Sequence, residues 1–202
     1  MTSPYLNKIK KMRIAKELFA ELNSFDENRR IEAKSASAVG KSMMETVCAF
    51  ANEPGLCGGY LLLGAKRTGI AEDGRPVYEP ENIENTDKIQ SDFVAMCNSM
   101  FYVRIRPIIN VEEYLGKTVI VVKIEELPES QKPAYFAKRG LPEGAFRRIG
   151  PSDEKCSEED MYLFYQSADT YDSCIVDDAD LDDIDENALN FYRKLRERGR
   201  GD

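Results

Sequence analysis

Between Val39 and Gly64 the chain spells out a helix followed by a buried strand, and that pair limits the folds open to it. Val39, Met43, Val47 and Phe50 recur at helical spacing, joined by Met44, Cys48 and Ala51, so the helix carries two apolar stripes. Asn52-Glu53-Pro54-Gly55 ends it near residue 52, where proline removes the N–H that a continuing helix needs. Gly58-Gly59 then opens a strand over 60–66, read as apolar along its run and therefore buried on both faces. A strand without a polar face needs a packing layer on each side. The expected class is α+β, a mixed β-sheet flanked by helices.

Other elements fit around that core. Ser3-Pro4 starts a helix over 4–23, with Met12, Ala15, Phe19 and Leu22 on its apolar side. Asn23 to Arg30 is polar loop, and Ile31 to Ser35 a short strand. Residues 67–82, rich in glycine and proline, read as a surface loop with room for a small hairpin. Ile83, Ile89, Phe93 and Met96 mark a helix over 83–97. Phe101, Val103 and Ile105 alternate with Tyr102, Arg104 and Arg106, the period-two pattern of a half-buried strand. Strands 59–66, 101–109 and 117–125 are expected at the sheet's centre. Ala134–Lys138 and Ala145–Ile149 read as short strands around a turn at 140–144. Ser157 and Asp160 resemble a capping box ahead of a helix over 158–167. The expected division is an N-terminal helix at 1–26, a main domain at 27–170, and an acidic linker with a last helix (186–198) at 171–202.

Composition excludes whole classes of chemistry. The 202 residues include no histidine, which removes Ser-His-Asp and Cys-His catalysis and imidazole metal ligation together. The five cysteines are widely spaced with no C-x-x-C pair, the pattern of reduced thiols. No apolar run approaches the ~18 residues that cross a bilayer, and the N-terminal segment has charges within its apolar pattern. A cytoplasmic location without membrane contact is expected. Of the net charge of −8, residues 172–202 carry −5, which leaves the body mildly acidic and able to present a local basic face.

Three constellations carry chemistry. Gly40-Lys41-Ser42 opens a helix after a strand, as a phosphate-binding loop does, but Ser35 stands where that motif needs its first glycine. Glu32 and Lys34 share one face of a strand, with Glu27 five residues earlier; a Glu-x-Lys pair of this kind holds Mg²⁺ or Mn²⁺ in metal-dependent nucleases. The third set is basic and aromatic. Lys34, Lys66, Arg67, Arg104, Arg106, Arg147 and Arg148 are candidate phosphate contacts in one groove, with Tyr102 and Tyr135 able to stack on bases.

The order of Glu-x-Lys strand, striped helix, Ala-Phe-Ala-Asn, Gly-Gly turn and buried strand resembles the Schlafen-type AlbA domain, a nucleic-acid-binding module of bacterial transcriptional regulators and of the Schlafen proteins. Phe146-Arg147-Arg148-Ile149-Gly150-Pro151-Ser152 resembles the segment that closes that domain, so the likeness runs over about 27–166. It implies a nucleic-acid partner, DNA or RNA, and leaves a homo-oligomer open. Ribonuclease-active Schlafens place acidic residues where Glu27 and Glu32 stand and a third just after the Gly-Gly strand. Here the third position holds Lys66 or Arg67, and Asp73, in Glu72-Asp73-Gly74, is the nearby carboxylate. The resemblance therefore implies a non-catalytic nucleic-acid-binding domain with no cofactor. A metal-dependent endoribonuclease using Glu27, Glu32 and Lys34 with Mg²⁺ or Mn²⁺, and a protein-interaction module, are the alternatives.

Overall fold

Alternation along one four-residue strand, Ile-Glu-Ala-Lys, sets the layering of the molecule. Ile31 and Ala33 pack with the helix that precedes them, which leaves Glu32 and Lys34 for the opposite face. The computed structural model describes residues 12–35 and 40–169, and the contacts given below lie within the compact unit Met1–Ala168. The elements in chain order are α1 (Ala15–Phe25), β1 (Ile31–Lys34), α2 (Lys41–Asn52), β2 (Gly59–Leu63), β3 (Ala65–Ile70), β4 (Pro76–Pro80) and α3 (Thr86–Ser99). They continue with β5 (Ile108–Tyr114), β6 (Lys117–Ile124), a 3-10 turn at Glu129–Gln131, β7 (Phe146–Ile149), β8 (Ser152–Lys155) and α4 (Glu158–Asp169).

Four strands form a sheet in the order β1-β2-β6-β5. β1 and β2 run parallel, with Ile31 opposite Tyr60 and Lys34 opposite Leu63, and α2 supplies the crossover that a parallel pair requires. β6 is antiparallel to both β2 and β5. The class is α+β with a mixed sheet, as the sequence led us to expect. Leu61 and Leu63 of β2 join Ile120, Val122 and Ile124 against α2 and α3. Leu62 joins Ile31, Val119 and Val121 against Ala15, Leu18, Phe19 and Leu22 of α1. β2 is thus buried on both faces, and each face has its own helical cover. Cys48, Cys57, Cys97 and Cys156 are free thiols. Burial pushes the Cys97 and Cys156 thiols up to about 12 and the Cys48 thiol up as well, so none of these three supplies a thiolate nucleophile near neutral pH. No helix among the described residues is long and apolar enough to cross a membrane.

Several elements differ from their expected form. The strand expected over 60–66 ends at Leu63, because Gly64 adopts φ +82°, where a side chain would meet the Glu81 carbonyl oxygen at 2.7 Å. The chain there leaves the sheet, and Lys66 and Arg67 fall on the exposed β3–β4 hairpin instead of a buried strand. The strand expected over 101–109 starts only at Ile108. Phe101 makes an isolated bridge to Phe136, and Pro107 has no N–H to give a ladder. The alternation at 101–106 reports packing against the core, not strand pairing. The strand expected at Ala134–Lys138 is reduced to the isolated bridge of Phe136 to Phe101: at its start Asn52 accepts from the Ala134 N–H at 2.6 Å and donates to the Ala134 carbonyl at 2.8 Å, and the Phe136 N–H turns to the Gly144 carbonyl at 2.9 Å. α1 begins at Ala15 within the described residues, its first N–H donating to Glu112 of β5 at 2.7 Å. Ser3-Pro4 and the helix expected at 186–198 lie outside the described residues.

Asn52 is fully buried at the end of α2, and its amide donates a further hydrogen bond to the Phe146 carbonyl at 3.0 Å. Replacing it by alanine leaves the Ala134 N–H and the Phe146 carbonyl unpaired and the Ala134 carbonyl with only the weak Cys48 thiol donor, each unpaired group costing ~1–3 kcal/mol. Asn52→Ala is expected to lose about 3 kcal/mol or more in urea unfolding; a loss below about 1 kcal/mol would show that the β7 segment does not depend on this amide.

Candidate functional site

Glu32 reaches the α2 side of the sheet and there meets a hairpin drawn from much later in the chain. β7 and β8 pair antiparallel through the Gly150-Pro151 turn, which sets Arg148 opposite Asp153 and Arg147 opposite Glu154. The hairpin lies against α2, and its Arg148 side chain is fully buried. One guanidinium nitrogen donates to Glu32 Oε2 at 2.8 Å and to the Asn28 carbonyl at 3.0 Å; the other donates to Asp153 Oδ1 at 2.8 Å. Its plane lies over the Phe50 ring, 5.0 Å from the centroid.

The carboxylates are saturated from other sides. Glu32 Oε1 receives Lys34 Nζ at 2.5 Å, and Asp153 Oδ2 receives the Thr46 hydroxyl at 2.6 Å. Burial pushes the Asp153 carboxyl above the ordinary aspartate range, with Thr46 and Arg148 opposing the rise. Glu27 accepts the Ala33 N–H at 2.9 Å; burial, and next the charge of Glu32, raise its carboxyl above the usual glutamate range. Arg147 is equally committed, to Glu53 at 3.1 Å and to Asp160 at 2.6 Å, while Arg29 donates to the same Glu53 at 3.2 Å. Asp160 also completes the capping box with Ser157 at the start of α4.

At the position of a third acidic residue the structure holds cations. Gly64 donates its N–H to the Lys34 carbonyl at 2.8 Å, so β3 departs from the end of the sheet that bears Lys34. Arg67 pairs with Asp26 at 3.2 Å, next to Glu27, and Lys66 lies 3.7 Å from Glu81. Asp26 also accepts the Tyr78 hydroxyl at 2.6 Å and the Glu27 N–H at 2.9 Å; burial works against them, yet its carboxyl is held below the ordinary range. Asp73 sits in the turn between β3 and β4, roughly 20 Å along the hairpin, with both its oxygens engaged by Arg75. A divalent metal does not fit this set. Arg148 fills the space between Glu32 and Asp153, and no group of three metal-ligating side chains stands together among the described residues.

The seven basic candidates do not form one groove. Lys34, Lys66 and Arg67 stand at one end of the sheet, Arg148 is sequestered between Glu32 and Asp153, and Arg147 is held by Glu53 at the C-terminal end of α2. Arg104 and Arg106 precede Ile108, which opposes Lys123 near Gly59, so they stand at the other end. Lys41 opens α2, consistent with a helix start, and residues 36–39 lie outside the described residues. Asp153, Thr46, Glu53 and Asp160 complete the cluster. The Ile-Gly-Pro-Ser turn was the signal that would have found Asp153, because a tight hairpin there forces it opposite Arg148.

The family described as Schlafen, AlbA_2 matches residues 27–157, from Glu27 through the β7–β8 hairpin. This chain belongs to that family. The Schlafen AlbA_2 domain closes on the segment that the sequence likeness had marked, Phe146 to Ser152. Among solved structures it is similar to the N-terminal domain of a RecG-related protein from Nitrosomonas europaea, whose name associates it with ATP-dependent DNA helicases. The two are 51% identical, with a TM-score of 0.60, over 72% of this chain and 95% of that one. A protein of Corynebacterium diphtheriae is 16% identical with a TM-score of 0.45, over 75% of this chain and 28% of that one, and adds nothing to the assignment. No curated protein matches.

Removing Arg148 leaves two buried carboxylates facing each other, and breaking a buried pair in this way costs ~3–5 kcal/mol. Arg148→Met is expected to lose that much in denaturant unfolding, and adding Glu32→Gln with Asp153→Asn should restore most of it. A single variant as stable as the parent would remove Arg148 from its central role. Glu27 gives a pH signature. A carboxyl whose pKa is raised by folding contributes stability at low pH that is lost as pH rises through the raised value. Glu27→Gln retains an acceptor for Ala33 and removes that loss, so its Tm should match the parent's in acid and exceed it at neutral pH. An advantage confined to acid would reverse the sign.

Proposed function

We propose that this Schlafen AlbA_2 domain binds nucleic acid as the recognition module of a bacterial transcriptional regulator in the cytoplasm, and does not cut what it binds. The observation that carries the non-catalytic part is the buried Arg148 guanidinium between Glu32 and Asp153. In-line cleavage of a phosphodiester by the metal route needs carboxylates free to hold a divalent ion at the scissile phosphate. Here a fixed cation neutralises them, Lys34 takes the remaining Glu32 oxygen, and Lys66 and Arg67 stand where a further ligand belongs. Family membership supports the binding part, as does the identity with a domain whose parent protein's name refers to DNA helicases.

Lys66 and Arg67 supply the phosphate contacts in this reading. Both side chains are at least half exposed, and their ion pairs with the half-buried Glu81 and Asp26 are solvent-accessible enough for a phosphate to compete for the cations. Lys34 lies at the same end of the sheet, closer to the buried cluster.

Binding to a fluorescent duplex, followed by anisotropy across a salt series, tests this. Lys66→Glu with Arg67→Glu should weaken binding at least tenfold and reduce the log–log salt slope by about 1.8 units, two phosphates' worth. Unchanged affinity would move the interface elsewhere. Incubation with tRNA and Mn²⁺ should leave the RNA intact; cleavage that disappears in Glu32→Ala would overturn the non-catalytic reading.

A further inference from the structure

Most arginines among the described residues are already spoken for. Seven of the ten among the described residues lie in ion pairs, the exceptions being Arg30, Arg104 and Arg106. Two of those three stand one residue apart, on the segment between α3 and β5. Packing of Phe101 and Ile105 into the core turns Tyr102, Arg104 and Arg106 outward. Tyr102 is 71% exposed, and its ring stacks on that of Tyr135 with centroids 5.0 Å apart and planes 13° from parallel. The Tyr102 N–H donates to the Tyr135 carbonyl at 3.0 Å, which fixes the two rings' backbones together.

Next to this stack a cleft of about 570 Å³ opens between the arginines and the stretch after β6, lined among others by Val103, Ile105, Leu127 and Pro128. Two carboxylates also line it, and each has its own cation. Glu125 holds Lys123 at 3.0 Å, and Glu126 holds the buried Lys132 at 2.7 Å and the N–H groups of Gly55 and Cys57. The two arginine charges are therefore in surplus in a chain whose net charge is −8.

We propose that Tyr102, stacked on Tyr135, and the neighbouring Arg104 and Arg106 form a site for an unpaired nucleic-acid strand, separate from the Lys66–Arg67 surface. An exposed, pre-stacked tyrosine offers its free face to a base, and every base has a π-face, so such a platform accepts unpaired strands without sequence preference. A base within a duplex is already stacked on both sides and cannot use it. Arg104 and Arg106 then take the phosphates that flank the stacked base. The site rests on the nucleic-acid reading above but uses the opposite end of the sheet, so the two surfaces can be disabled independently.

Anisotropy with the full chain, using fluorescent oligo-dT, an unpaired RNA of similar length and a blunt duplex, separates the outcomes. Tyr102→Ala should weaken binding of the unpaired strands about fivefold or more and leave the duplex unchanged, while Tyr102→Phe, which keeps the ring, should bind like the parent. Arg104→Ala with Arg106→Ala should lower the single-strand salt slope by about 1.4 units. Far-UV circular dichroism checks that each variant folds, as expected for side chains outside the core. If Tyr102→Ala and the double arginine variant bind oligo-dT as the parent does while Lys66→Glu/Arg67→Glu loses it, this site is overturned and the broader reading stands. Equal losses on duplex and single strand would overturn the preference for unpaired strands. A parent chain that binds none of the probes removes both proposals.

Discussion

The guanidinium of Arg148 holds together four parts of the chain. It bridges β1 through Glu32, the loop before β1 through the Asn28 carbonyl, β8 through Asp153, and the face of Phe50 on α2. A planar cation with a fixed fork of donors suits this role, because it meets two carboxylates in defined directions where a lysine would supply one point charge. Burial makes the arrangement all-or-none: each partner is costly without the others. One buried atom, Nε, has no hydrogen-bond partner, so even this network is not fully satisfied. The fold has kept a charged centre where an apolar one would pack more simply.

The same centre shows how one constellation of carboxylates can serve opposite ends. Glu27 and Glu32 stand where the resemblance to ribonuclease-active Schlafens implies acidic residues. What differs is the company. A resident cation holds the two carboxylates as a structural clamp, and Lys66 and Arg67 of the nearby β3 stand in ion pairs with Glu81 and Asp26.

Periodicity made the layers of this fold legible, since apolar spacing reports burial directly. α2 and α3 follow from helical spacing, β2 and β6 from unbroken apolar or β-branched runs, and α4 from its capping box. The limits of periodicity appear where burial and ladder pairing part company. At 101–106 the alternation is real, yet Pro107 and the turn of the chain deny it a strand partner. At the start of 134–138 the Ala134 backbone is paired by the side chain of Asn52, 82 residues earlier, which no local pattern announces. The charged site was half legible. Glu27, Glu32 and Lys34 stand out in a single strand and its approach, but Asp153, Thr46 and Glu53 gain meaning only when the β7–β8 hairpin brings them across. Gly64 hid the fate of Lys66 and Arg67, because a glycine inside an apolar run does not say whether the strand continues or leaves the sheet.

The long reach of the β7–β8 hairpin also bears on how the chain is made. Arg148 lies 116 residues after Glu32, and Phe146 lies 94 after Asn52. Contacts at such separation are late and slow to form, since the intervening chain must be ordered before they are rewarded. During synthesis, α2 and the first two sheet strands emerge well before the hairpin that covers them, leaving Phe50 and the amide of Asn52 open to solvent in the interval. A ribosome stalled before Ala145 therefore displays an incomplete core, a natural target for chaperones, and release of the finished hairpin is the event that withdraws it.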